Sequence, residues 1–158
     1  MKSKLGTYII SLIISVGTGA VSALLTRGNM DIYNDIRTPP LSPPSFLFPI
    51  VWSILYILMG ISAAMIYTSE NADTSQKNSV LRIYAASLFV NFLWSIVFFN
   101  FRAFLTAFIV LLLLLYLIVR TISGYNTISP VAAKLQIPYA LWVAFAGYLN
   151  LGIYFLNK

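Results

Sequence analysis

Residues 38–60 read TPPLSPPSFLFPIVWSILYILMG, and this stretch holds five of the seven prolines in the chain. Two Pro-Pro pairs cannot lie inside a helix, because each ring removes a backbone donor and clashes with the preceding turn. The second half of the stretch is apolar and carries Trp52 and Tyr56 one helical turn apart. The pattern predicts an ordered proline-rich loop that leads directly into an apolar helix. We expect this loop to cover a pocket between membrane helices.

The composition excludes an ordinary soluble protein. The chain has 158 residues, of which 59% are hydrophobic and 9% are charged. Soluble domains usually contain about a quarter charged residues and about half apolar ones. We therefore expect an integral membrane protein with a single domain over residues 1–158.

Several kinds of chemistry are excluded because the chain has neither Cys nor His. Disulfides, Cys/His zinc sites and catalysis by imidazole all need one of these residues. We predict no metal site and no obligatory cofactor. The net charge of +6 is dispersed at the ends of apolar segments, which favours lipid headgroups and not nucleic acid as the partner.

Five segments are long and apolar enough to cross a bilayer, which takes about 20 residues of helix. They are residues 5–25, 46–67, 81–101, 103–121 and 131–156. The sequence thus predicts an all-α, five-transmembrane-helix bundle with the proline-rich loop between helices 1 and 2. The turn at Arg102 is so short that the third and fourth spans must be antiparallel neighbours. Ser129 and Pro130 predict the capped start of the fifth span, and Pro138 predicts a kink inside it.

The first span has two interpretations. Lys2, Lys4 and the hydrophobic run that follows resemble a cleavable signal peptide. However, hydroxyl residues recur at helical spacing along one face, next to Gly19, and such small polar faces pack closely against other membrane helices. This hydroxyl stripe comprises Ser11, Ser15, Thr18 and Ser22. We expect the first span to be retained.

The basic residues predict a cytoplasmic N-terminus by the positive-inside rule. The N-terminal side of a five-span chain holds Lys2, Lys4, Lys77, Arg82, Arg120 and Lys134. The opposite side holds Arg27, Arg37, Arg102 and Lys158.

Three tryptophans lie on three different spans: Trp52, Trp94 and Trp142. Membrane proteins usually place Trp in interfacial belts, but Trp142 lies near the middle of its span. Residues one turn away from these tryptophans add aromatic and small polar side chains, so the three stripes form either a mostly apolar ligand pocket or simple interior packing.

Polar groups within the spans are few. Asn91 and Asn150 need partners in hydrocarbon, so each either bonds a neighbouring helix or contacts a ligand. No Asp, Glu, Lys or Arg lies in the middle of a span, which argues against ion-coupled pumping.

These motifs resemble the TspO/MBR family of tryptophan-rich sensory proteins and translocator proteins. The resemblance rests on residues 39–60, on NFLWSIVFFN at 91–100 and on IPYALWVAFAGYLN at 137–150. Two positions depart from the family pattern, since Leu41 and Phe46 stand where many members carry Trp. Contacts between the loop and a ligand are therefore expected to differ here.

The resemblance implies a five-helix bundle, often a homodimer, in a bacterial cell membrane. It also implies that the protein binds porphyrins, such as protoporphyrin IX and haem, and benzodiazepine-type drugs. The implied pocket residues are Trp52, Tyr56, Asn91, Trp94, Ser95, Trp142, Ala146 and Leu149. The implied loop lid includes Tyr33, Pro39, Pro43, Pro44 and Phe46.

Three functions remain open from the sequence. The first is a membrane receptor for porphyrins and similar hydrophobic ligands, with Arg27 or Arg37 near the loop to pair with propionates. The second is a light-dependent porphyrin-degrading enzyme that uses Trp52 and Trp142. The third is a facilitative transporter of tetrapyrroles or lipids.

Overall fold

The computed structural model describes residues 4–29 and 32–158, without the side chain of Tyr33. The described residues form helices and connecting segments, and no strand. The α-helices are α1 (Lys4–Thr26), α2 (Ile32–Asp35), α3 (Leu47–Thr68), α4 (Thr74–Ser95), α5 (Phe104–Asn126) and α6 (Pro130–Leu156). A 3-10 turn, Arg27–Asn29, extends α1, and a π-helical turn, Ile96–Asn100, extends α4.

The predicted all-helical membrane fold is confirmed. Five helices of the described chain are long and apolar enough to cross a membrane. They are Lys4–Asn29, Leu47–Thr68, Thr74–Asn100, Phe104–Asn126 and Pro130–Leu156. The remaining helix, α2, is a single turn within the loop that joins the first two spans.

Two predicted boundaries are wrong because polar residues extend the helices beyond their apolar segments. The third span starts at Thr74, although we predicted it to start at residue 81. Asp73 caps this helix, since its Oδ1 accepts a hydrogen bond from the Gln76 N–H at 2.8 Å. The fourth span continues to Asn126, beyond the predicted residue 121.

The five spans close into a ring in the order α1, α3, α6, α5, α4. The predicted contact between α4 and α5 is confirmed. The predicted start of the last span is also confirmed, because Pro130 is its first residue and Ser129 Oγ accepts from the Ala132 N–H at 3.3 Å. Pro138 lies inside α6.

The hydroxyl stripe of α1 packs against α3. Ser11 Oγ donates to the Gly60 carbonyl at 2.7 Å, and Ser15 Oγ donates to the Tyr56 carbonyl at 2.8 Å. Each bond gives a hydroxyl a short partner on the other helix, which is favourable in a low-dielectric interior. Thr18 differs, because its hydroxyl bonds the Ile14 carbonyl of its own helix at 2.7 Å. The stripe therefore holds two neighbouring spans together at its N-terminal half.

The proline-rich loop is fixed to the end of α6. The Arg37 N–H donates to Asn157 Oδ1 at 2.9 Å, and Asn157 Nδ2 donates to the Arg37 carbonyl at 2.7 Å. The Tyr148 hydroxyl donates to the Pro40 carbonyl at 2.6 Å. A Cβ at Gly152 would lie 2.7 Å from the Pro39 ring, so glycine is required for this close contact. The loop is thus an ordered part of the bundle end.

Single engineered cysteines can test the expected orientation, because the natural chain has no Cys. Ser75 and Lys158 are both exposed and lie at opposite ends of the bundle. In spheroplasts, we expect a membrane-impermeant maleimide to label Lys158→Cys and to label Ser75→Cys only after lysis. Labelling of both variants in lysed membranes is the control. Labelling of Ser75→Cys alone in intact spheroplasts would reverse the assigned topology.

Candidate ligand-binding site

A cavity of about 370 Å³ lies in the half of the bundle nearest the proline-rich loop. Its walls come from α1, the loop, α3, the end of α4 and the second half of α6. Cavities of about 300–1,000 Å³ with mostly apolar walls are typical of small-molecule sites. The predicted loop therefore leads into a helix that lines this cavity.

Seven of the eight predicted pocket residues line this one cavity. They are Trp52, Tyr56, Asn91, Trp94, Ser95, Ala146 and Leu149. These residues come from three helices that are distant in sequence and meet only in the ring of spans. That a ligand binds to them stays a prediction.

Aromatic rings form most of one wall. The rings of Trp52 and Trp94 lie 6.2 Å apart between centroids and are tilted by 34°. Trp52 also contacts Tyr56 at 5.8 Å, and Trp94 contacts Phe98 at 5.4 Å. Rings at these separations attract each other and hold each other in place. The wall thus presents a continuous π surface with little freedom to move.

Buried amides hold this wall in position. Asn91 Nδ2 donates to the Tyr139 hydroxyl at 2.9 Å, which joins α4 to α6. The Trp94 Nε1–H donates to Asn150 Oδ1 at 3.0 Å, and Asn150 Nδ2 donates to the Phe104 carbonyl at 2.8 Å. The two asparagines therefore bond other helices, one of the two roles that the sequence allowed, and both also line the cavity.

Trp142 is the predicted pocket residue that does not line the cavity. Its ring packs edge-on against Phe48 at 5.8 Å and contacts Phe145 at 5.7 Å. Phe48 itself lines the cavity, so Trp142 supports the wall from behind. Helical spacing placed Trp142 on the same face as Ala146. It could not show that the Phe48 side chain of α3 lies between Trp142 and the cavity.

The predicted lid is only partly in place. Phe46 lines the cavity and is 66% exposed, which puts it at the mouth. The side chain of Tyr33 lies outside the described residues. The remaining lid residues do not line the cavity: Pro39, Pro43 and Pro44. The contact between Pro39 and Gly152 shows why, since the first proline pair packs on α6 instead of over the cavity.

None of the described lining residues carries a formal charge. Arg27 and Arg37, which we expected near bound propionates, are exposed and lie outside the lining. Binding an ionised group in this cavity would cost free energy, because a buried charge without a partner loses its hydration. The described walls therefore suit a neutral, aromatic group.

The sequence did not identify several lining residues. From α1 these are Gly19, Ser22, Ala23 and Thr26. From the loop and the ends of α3, α4 and α6 they are Asn34, Ser45, Phe48, Pro49, Phe98, Phe99 and Ile153. The sequence did indicate that Gly19 and Ser22 lie on a packing face of α1. The structure explains the glycine, because a Cβ at Gly19 would lie 2.5 Å from the Tyr56 ring. Phe98 and Phe99 lie in the π-helical turn, a feature that residue spacing does not predict.

Known proteins match most of the chain. The model of the TspO/MBR family matches residues 9–156. The chain is 30% identical to "Protein CrtK" of Rhodobacter capsulatus, over 98% of this chain and 94% of that protein. It is 35% identical to "Tryptophan-rich protein TspO" of Chlorobaculum tepidum, over 79% of this chain and 78% of that protein. It is 34% identical to "Translocator protein" of Bos taurus, over 89% of this chain and 83% of that protein.

These matches agree with the features described above. The last four spans, most of the first span and the tryptophan-lined cavity fall within the matched residues. The resemblance inferred from the three sequence motifs is confirmed. The chain is an integral membrane protein that belongs to the TspO/MBR family.

Proposed function

We propose that this protein is a membrane receptor for aromatic hydrophobic ligands of the porphyrin and benzodiazepine type, bound in the cavity next to the proline-rich loop. The observation that carries the proposal is the convergence of Trp52, Trp94 and Tyr56 on one cavity of about 370 Å³. Flat aromatic ligands gain contact area and offset stacking against such rings. The family resemblance points to the same ligands.

Ring stacking, and not charge pairing, supplies recognition in this proposal. The described lining holds no cation that could pair with the propionates of a porphyrin. We propose that such carboxylates stay towards the mouth, where Asn34, Ser45 and Phe46 are exposed. Water can solvate the carboxylates there, so they avoid the free-energy cost of burial.

Matched tryptophan variants test the proposal. We expect Trp52→Phe to weaken protoporphyrin IX binding about five- to tenfold, because it removes part of the indole surface that faces the ligand. Trp142→Phe should change the affinity less than twofold, since Trp142 does not line the cavity. The affinity is measured by titrating the remaining tryptophan fluorescence of the purified protein with protoporphyrin IX. Protein-free micelles titrated with protoporphyrin IX give the background from partitioning.

Other results would contradict this proposal. If Trp52→Phe binds like the natural protein, the ligand does not occupy this cavity. If Trp142→Phe loses more affinity than Trp52→Phe, the site lies on the far side of Phe48. Unsaturable uptake that matches empty micelles would remove the receptor function altogether.

We favour binding over the two alternative functions. A light-dependent reaction through the pair Trp52 and Trp142 would need both rings next to the ligand, and Trp142 lies outside the lining. Passage through the bundle would need an open path, but the interior beyond the cavity is filled. Met59, Ile66 and Gln136 there are each at most 1% exposed, and Gln136 Nε2 donates to Ser62 Oγ at 2.7 Å.

We also propose that the protein is a homodimer in a bacterial cell membrane, as the family resemblance implies. The dimer contact should not involve the small-residue pair of α3. Both Gly60 and Ala64 are buried inside the chain, and Gly60 packs against Leu12 and Ser15 of α1. The proposed dimer contact must therefore use a surface that faces lipid in the single chain.

A further inference from the structure

Ser22 differs from the other members of the hydroxyl stripe. The hydroxyls of Ser11, Ser15 and Thr18 each donate to a backbone carbonyl, two of them across to α3 and one within α1. Ser22 Oγ is buried and has no hydrogen-bond partner among the described residues. A serine in a helix commonly bonds the carbonyl one turn back, so the uncommitted Ser22 hydroxyl calls for an explanation.

The position of Ser22 suggests that explanation. The residue is 6% exposed and lines the cavity, between Gly19 and Thr26 on the α1 wall. The Thr26 hydroxyl is already committed, because it donates to the Ser22 carbonyl at 2.7 Å. Two other donors that line the cavity are committed as well, since the Trp94 Nε1–H donates to Asn150 and the Asn91 amide donates to Tyr139. The Ser22 hydroxyl is thus a buried donor without a partner among the described residues, on the α1 wall of the cavity.

We propose that Ser22 Oγ donates a hydrogen bond to a neutral acceptor on the bound ligand, such as an amide, ketone or ester carbonyl. This inference rests on the proposed function, and it adds that Ser22 determines which aromatic ligands bind tightly. A carboxylate is a poor occupant at this depth, because one hydroxyl does not compensate a buried charge. A carbonyl needs one good donor and gains a hydrogen bond that water no longer supplies.

Two matched ligands test the proposal on the natural protein. One is a 1,4-benzodiazepin-2-one, and the other is its 2-deoxo analogue, in which a methylene replaces the ring carbonyl. We expect the lactam to bind about three- to tenfold more tightly than the deoxo compound, the effect of one hydrogen bond. Isothermal titration calorimetry of the full chain in detergent measures both affinities.

The variant Ser22→Ala should remove this preference. We expect it to lose about three- to tenfold in affinity for the lactam and to bind the deoxo compound as before. The control is Thr18→Ala, one turn away on the same helix, where the hydroxyl bonds inside α1 and lies outside the cavity. It should leave both affinities unchanged.

Thermal unfolding without ligand separates a ligand-binding role from a structural one. Ser22→Ala removes a buried hydroxyl that bonds nothing in the described chain, so its Tm should stay equal or rise. A structural role predicts a lower Tm, as expected for Ser15→Ala, which loses a bond to the Tyr56 carbonyl.

Three results would overturn the inference. They are equal affinity of the natural protein for the two compounds, a lactam preference that survives in Ser22→Ala, and equal losses for both compounds in that variant. In each case the proposed receptor function stands, because both compounds still bind. If the natural protein binds neither compound, the benzodiazepine part of the proposed function fails and this inference fails with it.

Discussion

Replacement of Ala146 by Phe is expected to lower the affinity for protoporphyrin IX and for benzodiazepine-type ligands at least about a hundredfold, or about 2.7 kcal/mol. Ala146 lines the cavity and is 7% exposed, so a phenyl group there projects into the space that the ligand needs. The cavity offers room for the new ring, and the protein should therefore stay folded. Fluorescence titration gives the affinity, and circular dichroism with thermal unfolding gives the fold.

Ala144→Phe is the matched control for this prediction. Ala144 lies two residues away on α6 and is exposed on the outer face of the bundle. The same substitution there adds the same apolar area facing lipid, so both affinities should remain unchanged. If Ala146→Phe folds and still binds protoporphyrin IX like Ala144→Phe, the ligand occupies another surface, and the proposed receptor site is wrong.

Substitution of Gly60 by Ala should destabilise the bundle by about 1–3 kcal/mol, the usual cost of overpacking. A Cβ at this position would lie 2.6 Å from Ser15 Oγ and 3.0 Å from the Leu12 Cα. The backbone of α1 cannot move away without breaking the bond between Ser11 and the Gly60 carbonyl. Equilibrium unfolding in mixed micelles measures the change in free energy.

Gly17→Ala should change the free energy of unfolding in the opposite direction in the same assay. Gly17 lies inside α1, and no described atom is within 4 Å of a Cβ built there, apart from the residues that adjoin it in the helix. The alanine should stabilise the protein by up to about 1 kcal/mol, because glycine is the poorer helix former. Equal effects of the two substitutions would show that helix propensity, and not contact between α1 and α3, determines the role of Gly60.

Most of the fold follows from local properties of the sequence. Apolar length alone predicted the five spans, because an exposed backbone cannot remain unpaired in hydrocarbon and must form helices. Ser129 and Pro130 predicted the start of α6, since a cap needs only residues that are neighbours in sequence. The hydroxyl spacing of α1 likewise predicted a packing face, although not which span it would meet.

Helical spacing also anticipated much of the candidate site. Trp52 and Tyr56, Asn91 and Trp94, and Ala146 and Leu149 are pairs that share a helix face, and all six residues line the cavity.

The limits of the cavity were decided by contacts between helices. Phe48 separates Trp142 from the cavity, and Pro39 packs on Gly152 instead of covering the cavity. Ser22 became a candidate ligand contact because its hydroxyl bonds no carbonyl, unlike that of Ser15 two helical turns earlier. Such outcomes depend on which side chain of one helix fills the space in front of another. Sequence periodicity describes each helix by itself, so it predicts which residues share a helix face. Only the packing of the five spans determines which side chains that face contacts.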